Sequence, residues 1–361
     1  MSAPSIPNLF SLRGASRGGR GRGRGRGGGP GSAAAHGHDV TIQGTDTDAA
    51  VSRLSAVELG YLDDAFAQYF VQSSQGPPSR RLPIINRGTY TRTTALDKLI
   101  DLFLTGADEA GSKEKQIISL GAGTDTRSLR LFSNPARRNI TYHEIDFPAI
   151  CTKKFHTIKG TPVLRRVLQN PTLEEDGSSW HSQAENDNLL WFHGLDLRDI
   201  ARQSTESATP LALKGLRTDI PTLLISECCL CYLETPAARA TIAWFQGQVA
   251  SLGIVLYEPV KPDDPFGRMM VSNLAARRIR MPTLETFKEP ADQETRLREA
   301  GFEAVRAMTV DQIWERWVHQ DEKERVDGLE GLDEVEEWKL LAGHYVVAWG
   351  WKGHGFEGWA G

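Results

Sequence analysis

From Gln116 onward the apolar residues come in short runs. Gly, Pro, Asn or Asp bounds each run, and stretches with apolar residues at helical spacing separate them. This pattern predicts strands at Gln116–Leu120, Thr141–Ile145, Leu189–His193, Thr222–Ser226 and Ile254–Tyr257. Helices are expected between them at about Asp125–Phe132, Pro148–Ile158 and Pro236–Ala250. Two later runs, Phe302–Met308 and Tyr345–Trp351, finish the sheet as an antiparallel pair, with a helical, acid-rich stretch Val310–Ala342 between them. Strand–helix alternation implies an α/β fold whose mostly parallel sheet carries helices on both faces. The expected sheet has seven strands with an antiparallel edge.

Upstream, Val57, Leu59, Tyr61, Leu62, Ala65, Phe66, Tyr69 and Phe70 predict a helix that ends by Gly76-Pro77-Pro78. A second helix is expected from about Thr89 to Leu104, burying Leu96, Leu99, Ile100 and Phe103. Residues 51–110 would then form a helical cap over the ligand edge of a domain spanning 51–361. A helical insert is expected after the fifth strand, within 265–290, on Phe266, Met269, Met270, Leu274 and Ile279. The polar segment Asn170–Asn188 reads as a long surface loop. Residues 1–50, Arg-Gly low complexity followed by a polar stretch, have little to bury and are expected to be disordered.

Composition narrows the function classes. A chain of 361 residues with 40% hydrophobic and 24% charged residues is that of a soluble globular protein. No apolar run approaches the ~18 residues of a membrane helix, and Met1–Phe10 has no secretory pattern. The formal net charge of −4 combines six Arg within residues 1–38 with a balance of about −10 over the remainder. The folded part is thus acidic and offers no broad basic surface for nucleic acid. Cys151, Cys228, Cys229 and Cys231 have no ligand partners at zinc spacing, so reduced thiols in a cytoplasmic (or also nuclear) protein are expected, with no metal.

The candidate chemistry starts at Leu120-Gly121-Ala122-Gly123, a strand running into a turn that needs glycine. A dinucleotide fingerprint would place a third Gly where Thr126 stands, which disfavours a pyrophosphate ligand and a nicotinamide oxidoreductase. Ligands of open α/β sheets bind beyond the carboxyl ends of the strands. Those ends carry Gly121 and Gly123, then Asp146 for a ribose, Asp196 and Leu197 for adenine, and Glu227 at the head of the site. Together they describe a pocket for S-adenosyl-L-methionine, which has no phosphate and carries a sulfonium suited to acidic walls. Its methionine carboxylate suits arginine. Arg53 and Arg92 are the candidates, with Arg87 a weaker one.

Four segments in order resemble the leucine carboxyl methyltransferase family: Asn86-Arg87-Gly88-Thr89-Tyr90-Thr91-Arg92, Leu120–Thr126, Glu144-Ile145-Asp146-Phe147-Pro148 and Leu224–Tyr232. Asp196-Leu197-Arg198-Asp199 and Tyr257-Glu258 extend the match. The resemblance implies a Rossmann-like class I methyltransferase fold. It implies that Arg92 binds the cofactor carboxylate, Gly121 lines the methionine portion, Asp146 holds the ribose, Asp196 and Leu197 meet adenine, and Glu227 sits near the methionine amino group. Arg53 falls at the family's basic cofactor residue, in a looser match. The activity implied is methylation of the C-terminal leucine carboxylate of the protein phosphatase type 2A catalytic subunit, by a monomer. There Arg92 or Tyr232 would hold one substrate oxygen. The rival readings are a carboxyl methyltransferase of the tRNA wybutosine pathway, expected to carry a C-terminal repeat propeller absent from this sequence, and a non-catalytic RNA-binding protein using the Arg-Gly tail.

Overall fold

The computed structural model describes residues 30–71, 80–106, 114–203 and 211–360, with residues 30–36 as backbone alone. The Arg-Gly tail through residue 29 lies outside the described residues. Among the described residues nine strands make one sheet: β1 (Lys115–Leu120), β2 (Ile140–Asp146), β3 (Gln169–Leu173), β4 (Trp180–Gln183), β5 (Leu189–Gly194), β6 (Thr222–Glu227), β7 (Leu252–Pro259), β8 (Ala304–Thr309) and β9 (Tyr345–Lys352). Their order is β3-β4-β5-β2-β1-β6-β7-β9-β8. The five central strands pair in parallel, β2 and β5 on one side of β1, β6 and β7 on the other. Covered on both faces, they can be apolar throughout, and every residue of β1 and β7 is buried. The strand order reverses between β1 and β6, so the crevice for a ligand opens beyond their carboxyl ends.

Both edges are antiparallel, and the expectation of seven strands is corrected to nine. The two additional strands come from the segment read as a loop. β3 has no buried residue and β4 buries only Trp180 and Ser182, so neither carries an apolar run that sequence patterning could register. Trp180 anchors the hairpin, its ring stacked 5.4 Å from that of Phe192.

The helices are α1 (Pro30–Glu58), α2 (Pro83–Thr105), α3 (Arg127–Phe132), α4 (Pro148–Gly160), α5 (Pro162–Val167), α6 (Leu197–Gln203), α7 (Thr235–Gln248), α8 (Pro265–Ala276), α9 (Pro290–Glu299), α10 (Val310–Trp317), α11 (Gln320–Asp327) and α12 (Val335–Ala342). Two expectations about the N-terminal part are overturned. Residues 37–50, expected to be disordered, belong to α1, because polar contacts, which leave no apolar periodicity, tie that helix down. Asp39 pairs with Arg198 at 2.8 Å, Asp48 with Arg277 at 2.5 Å, and Ser55 donates to Asn86 at 2.9 Å. The helix also stops at Glu58 instead of running to Phe70. Gly60 turns the chain at φ 82°, and Tyr61 N–H closes onto the Ala56 carbonyl at 2.8 Å. Only a short 3-10 turn, Ala67–Phe70, follows.

The helix expected from Thr89 lies inside α2, whose first residue is Pro83, a position where the missing N–H costs nothing. The helical insert is present as α8 and ends at Ala276. The acid-rich stretch before β9 is three helices; α10 and α12 pack on α2. No helix among the described residues is long and apolar enough to cross a membrane.

Candidate active site

A cavity of about 600 Å³ occupies the crevice beyond β1, β2, β5 and β6, roofed by α1. Arg53, Arg92, Gly121, Gly123, Asp146, Asp196, Leu197, Glu227 and Tyr232 all line it, although they come from eight different elements or turns. Arg87 does not. Its guanidinium pairs with Asp327 and lies 4.7 Å from the Trp314 ring and 5.4 Å from the Trp338 ring, under the C-terminal helices.

The glycine turn is built for close approach. Gly121 and Gly123 have φ of 60° and 51°, in the left-handed region. A Cβ on Gly121 would fall 2.6 Å from Cys229 Sγ and 2.9 Å from Cys229 Cβ. Gly121→Ala is therefore expected to weaken cofactor binding about tenfold or more, given roughly 1–2 kcal/mol for the left-handed backbone plus displacement of Cys229. Calorimetric titration with S-adenosylhomocysteine checks it; unchanged affinity would show that Cys229 yields freely.

One end of the cavity is backed by a charge-balanced lattice of four arginines and four acids, of which Arg53, Arg92, Asp125 and Glu227 line it. Arg92 Nε meets Glu227 Oε1 at 2.8 Å, and Arg127 Nη1 meets Glu227 Oε2 at 2.7 Å and Asp125 Oδ2 at 2.6 Å. Arg127 Nε reaches Asp97 at 3.0 Å, which also holds Arg130 at 2.7 Å. Arg53 stands 3.4 Å from Asp125 and 3.5 Å from Asp64. Burial pushes the Asp125 and Glu227 carboxyls up, but the surrounding arginines outweigh it and hold both below the ordinary carboxylate range. Both are therefore anionic at neutral pH, and Arg92, an ion-pair partner of Glu227 without hydrogen-bond geometry at Nε, lies on the cavity wall.

At the other end the acids are differently placed. Asp146 accepts from the Gly123 and Phe147 amides, each at 2.7 Å, yet burial pushes it up to about 7. Two side chains face it: Asp46 pushes it further up, and Lys154 opposes this. A ligand whose hydroxyls donate to Asp146 favours the ionised form, so binding should release a proton. Below pH ~7 the dissociation constant is expected to fall up to about tenfold per pH unit as pH rises, then level off. In Asp146→Asn this slope should vanish. Titration calorimetry in buffers of differing ionisation enthalpy reads the proton directly, and zero release at pH 6 would contradict the prediction.

Asp196 lines the cavity with both carboxylate oxygens engaged by Arg198 Nε at 2.9 Å. Leu197, at the start of α6, is buried beside it. Tyr232 sits on a 3-10 turn after β6, buried; burial pushes its pKa well up, so it stays protonated and able to donate. Arg127, Asp39, Asp46 and Arg198 were not singled out from the sequence. Arg127 lies on a short helix and reads as an exposed helical arginine, while Asp39 and Asp46 fall in the segment expected to be disordered.

The leucine carboxyl methyltransferase family profile matches residues 41–246. The chain is 49% identical to leucine carboxyl methyltransferase 1 of Emericella nidulans, over 99% of this chain and 97% of that protein. It is 46% identical to the Aspergillus fumigatus protein of the same name, over 99% and 98%. It is also 33% identical to the rat tRNA wybutosine-synthesizing protein 4, over 85% of this chain but 43% of that protein.

Proposed function

Because this chain belongs to the leucine carboxyl methyltransferase family, we propose that it methylates the C-terminal leucine carboxylate of the protein phosphatase type 2A catalytic subunit, with S-adenosyl-L-methionine as donor. The single observation that carries the reading is one cavity with arginines and Glu227 at one end, a left-handed glycine turn in the middle and the half-buried Asp146 at the other.

The residues fit that cofactor. The glycine turn lines the cavity with backbone alone, the arginine-lined end suits a carboxylate, and the half-buried acids suit hydroxyl and ammonium donors. In this reading Arg53 and Arg92 hold the methionine carboxylate, Glu227 its amino group, Gly121 and Gly123 the methionine chain, Asp146 the ribose, and Asp196 with Leu197 the adenine. The cofactor supplies an electrophilic methyl group on a sulfonium.

The substrate carboxylate has a reference pKa of about 3.5 and arrives deprotonated, so no general base is needed. What the protein must do is strip water from that carboxylate and hold it in line with the methyl group. Arg92 or the Tyr232 hydroxyl orients one oxygen, leaving the other to attack. The apolar walls, Leu120, Ile145, Leu197 and Leu233 among them, keep water out. The N-terminal cap and α8 form the funnel for the peptide tail. The enzyme works as a cytoplasmic monomer.

The test is transfer of labelled methyl to purified phosphatase core enzyme, beside a version lacking the terminal leucine. Alkali-labile label on the intact protein alone is the expected result. Label on neither, with the cofactor still bound, moves the substrate to RNA or another protein, and an unmodified wybutosine-pathway tRNA is then the next acceptor to assay.

A further inference from the structure

Two successive amides of the glycine turn point at two different carboxylates. Gly123 N–H donates to Asp146 Oδ2 at 2.7 Å, and Thr124 N–H donates to Asp46 Oδ1 at 2.7 Å. The Thr124 hydroxyl donates to the same Asp46 oxygen at 2.6 Å. Asp146 ends β2 whereas Asp46 belongs to α1, so the turn clasps one acid from the sheet and one from the roof. Both line the cavity.

The second oxygen of Asp46 is different. The side chain is only 9% exposed, and Oδ2 is buried without a hydrogen-bond partner. The Lys153 ammonium stands 3.6 Å away, close enough for an ion pair but beyond hydrogen-bond reach. A buried carboxylate oxygen with no donor is costly, and here a second, half-buried carboxylate is held by the neighbouring amide of the same turn. Placing two acids together in this way favours a ligand that brings neutral donors to both. A cation is the less fitting occupant, since Lys153 already supplies one and no group of three metal-ligating side chains occurs among the described residues.

We infer that Asp46 is a cofactor-binding residue whose Oδ2 accepts a hydrogen bond from one ribose hydroxyl, so that Asp46 and Asp146 grip the ribose diol from the roof and the sheet. The inference rests on the reading that this cavity takes S-adenosyl-L-methionine. It gives α1 a direct part in ligand recognition and makes the site selective for ribose over deoxyribose.

Asp46→Asn separates this role from a purely structural one. Asparagine keeps a carbonyl oxygen for Thr124 but replaces the second acceptor by a donor. The full chain and the variant are titrated calorimetrically with S-adenosylhomocysteine and with its 2′-deoxy and 3′-deoxy analogues. The variant is expected to bind S-adenosylhomocysteine about tenfold to a hundredfold more weakly, as for loss of a hydrogen bond to a charged group. Against one of the two deoxy analogues, wild type and variant should agree within about twofold, because the bond is already missing from the ligand. Equal losses against all three ligands would overturn the inference and leave Asp46 as an anchor for α1. So would an unchanged affinity for S-adenosylhomocysteine. Failure of the wild type to bind S-adenosylhomocysteine would instead refute the cofactor reading, and the inference with it. Should Asp46→Asn not fold, Asp46→Ala, which sets no new donor against Asp146, is read by the same comparison.

Discussion

Arg92→Ala is expected to lower kcat/KM for methyl transfer by about 10²- to 10³-fold while the protein stays folded. Arg92 is buried on α2, its Nε 2.8 Å from Glu227 and its guanidinium 5.3 Å from the Tyr257 ring, so its position is set before any ligand arrives. Truncation leaves Glu227 still paired with Arg127 at 2.7 Å, and a loss of melting temperature of more than a few degrees is not expected. Steady-state kinetics with calorimetry divide the two roles. If Arg92 holds the methionine carboxylate, affinity for S-adenosylhomocysteine falls with turnover. If it orients the substrate oxygen, affinity persists and kcat alone falls. Were both unchanged, Arg92 would have no part in the chemistry. Lysine should not rescue, since a single ammonium cannot keep Glu227 and also present a planar fork to a carboxylate.

Arg127→Met should cost about 3–5 kcal/mol of stability and abolish cofactor binding, a larger structural effect than any change on the cavity wall. Its side chain is only 2% exposed and meets Asp97, Asp125 and Glu227 at once. Methionine fills the space of the stem but leaves three half-buried carboxylates short of a cation. Urea unfolding at neutral pH measures the deficit. Its pH dependence follows from the depressed carboxyls. In the wild type the stabilisation from Asp125 and Glu227 is present above their unfolded pKa of about 4 and is lost as pH falls through the lower folded values. The variant has much less of it to lose, so the difference between the two proteins should narrow as the pH drops below 4. A deficit independent of pH would assign Arg127 to packing rather than to charge balance.

Some motif residues read correctly for their position serve a different end. Asn86 lies in the same segment as Arg92, yet it is a structural knot: its amide donates to the Arg81 carbonyl at 3.1 Å and to Glu330 at 2.9 Å. Arg87 is drawn off to the tryptophans of α10 and α12. One turn of helix further along, Arg92 reaches the cavity. Nothing in a linear string separates these three, because which face of α2 meets the cavity depends on how the C-terminal helices dock.

By itself the sequence determined the parallel centre of the sheet, the switch point at β1 and the acids at the strand ends. These strands are covered on both faces, so apolar residues dominate them, and polar residues stand at their ends where the ligand lies. Only the tertiary structure decided the edge hairpin β3–β4, the stop of α1 at Glu58, the roof formed by residues 37–53 and the Arg127 lattice. The roof and the lattice depend on contacts between polar groups far apart in the chain: Asp46 with Thr124, Asp39 with Arg198, Arg127 with Glu227. A hydrogen bond or ion pair leaves no periodicity in either partner's neighbourhood, whereas burial of an apolar face does.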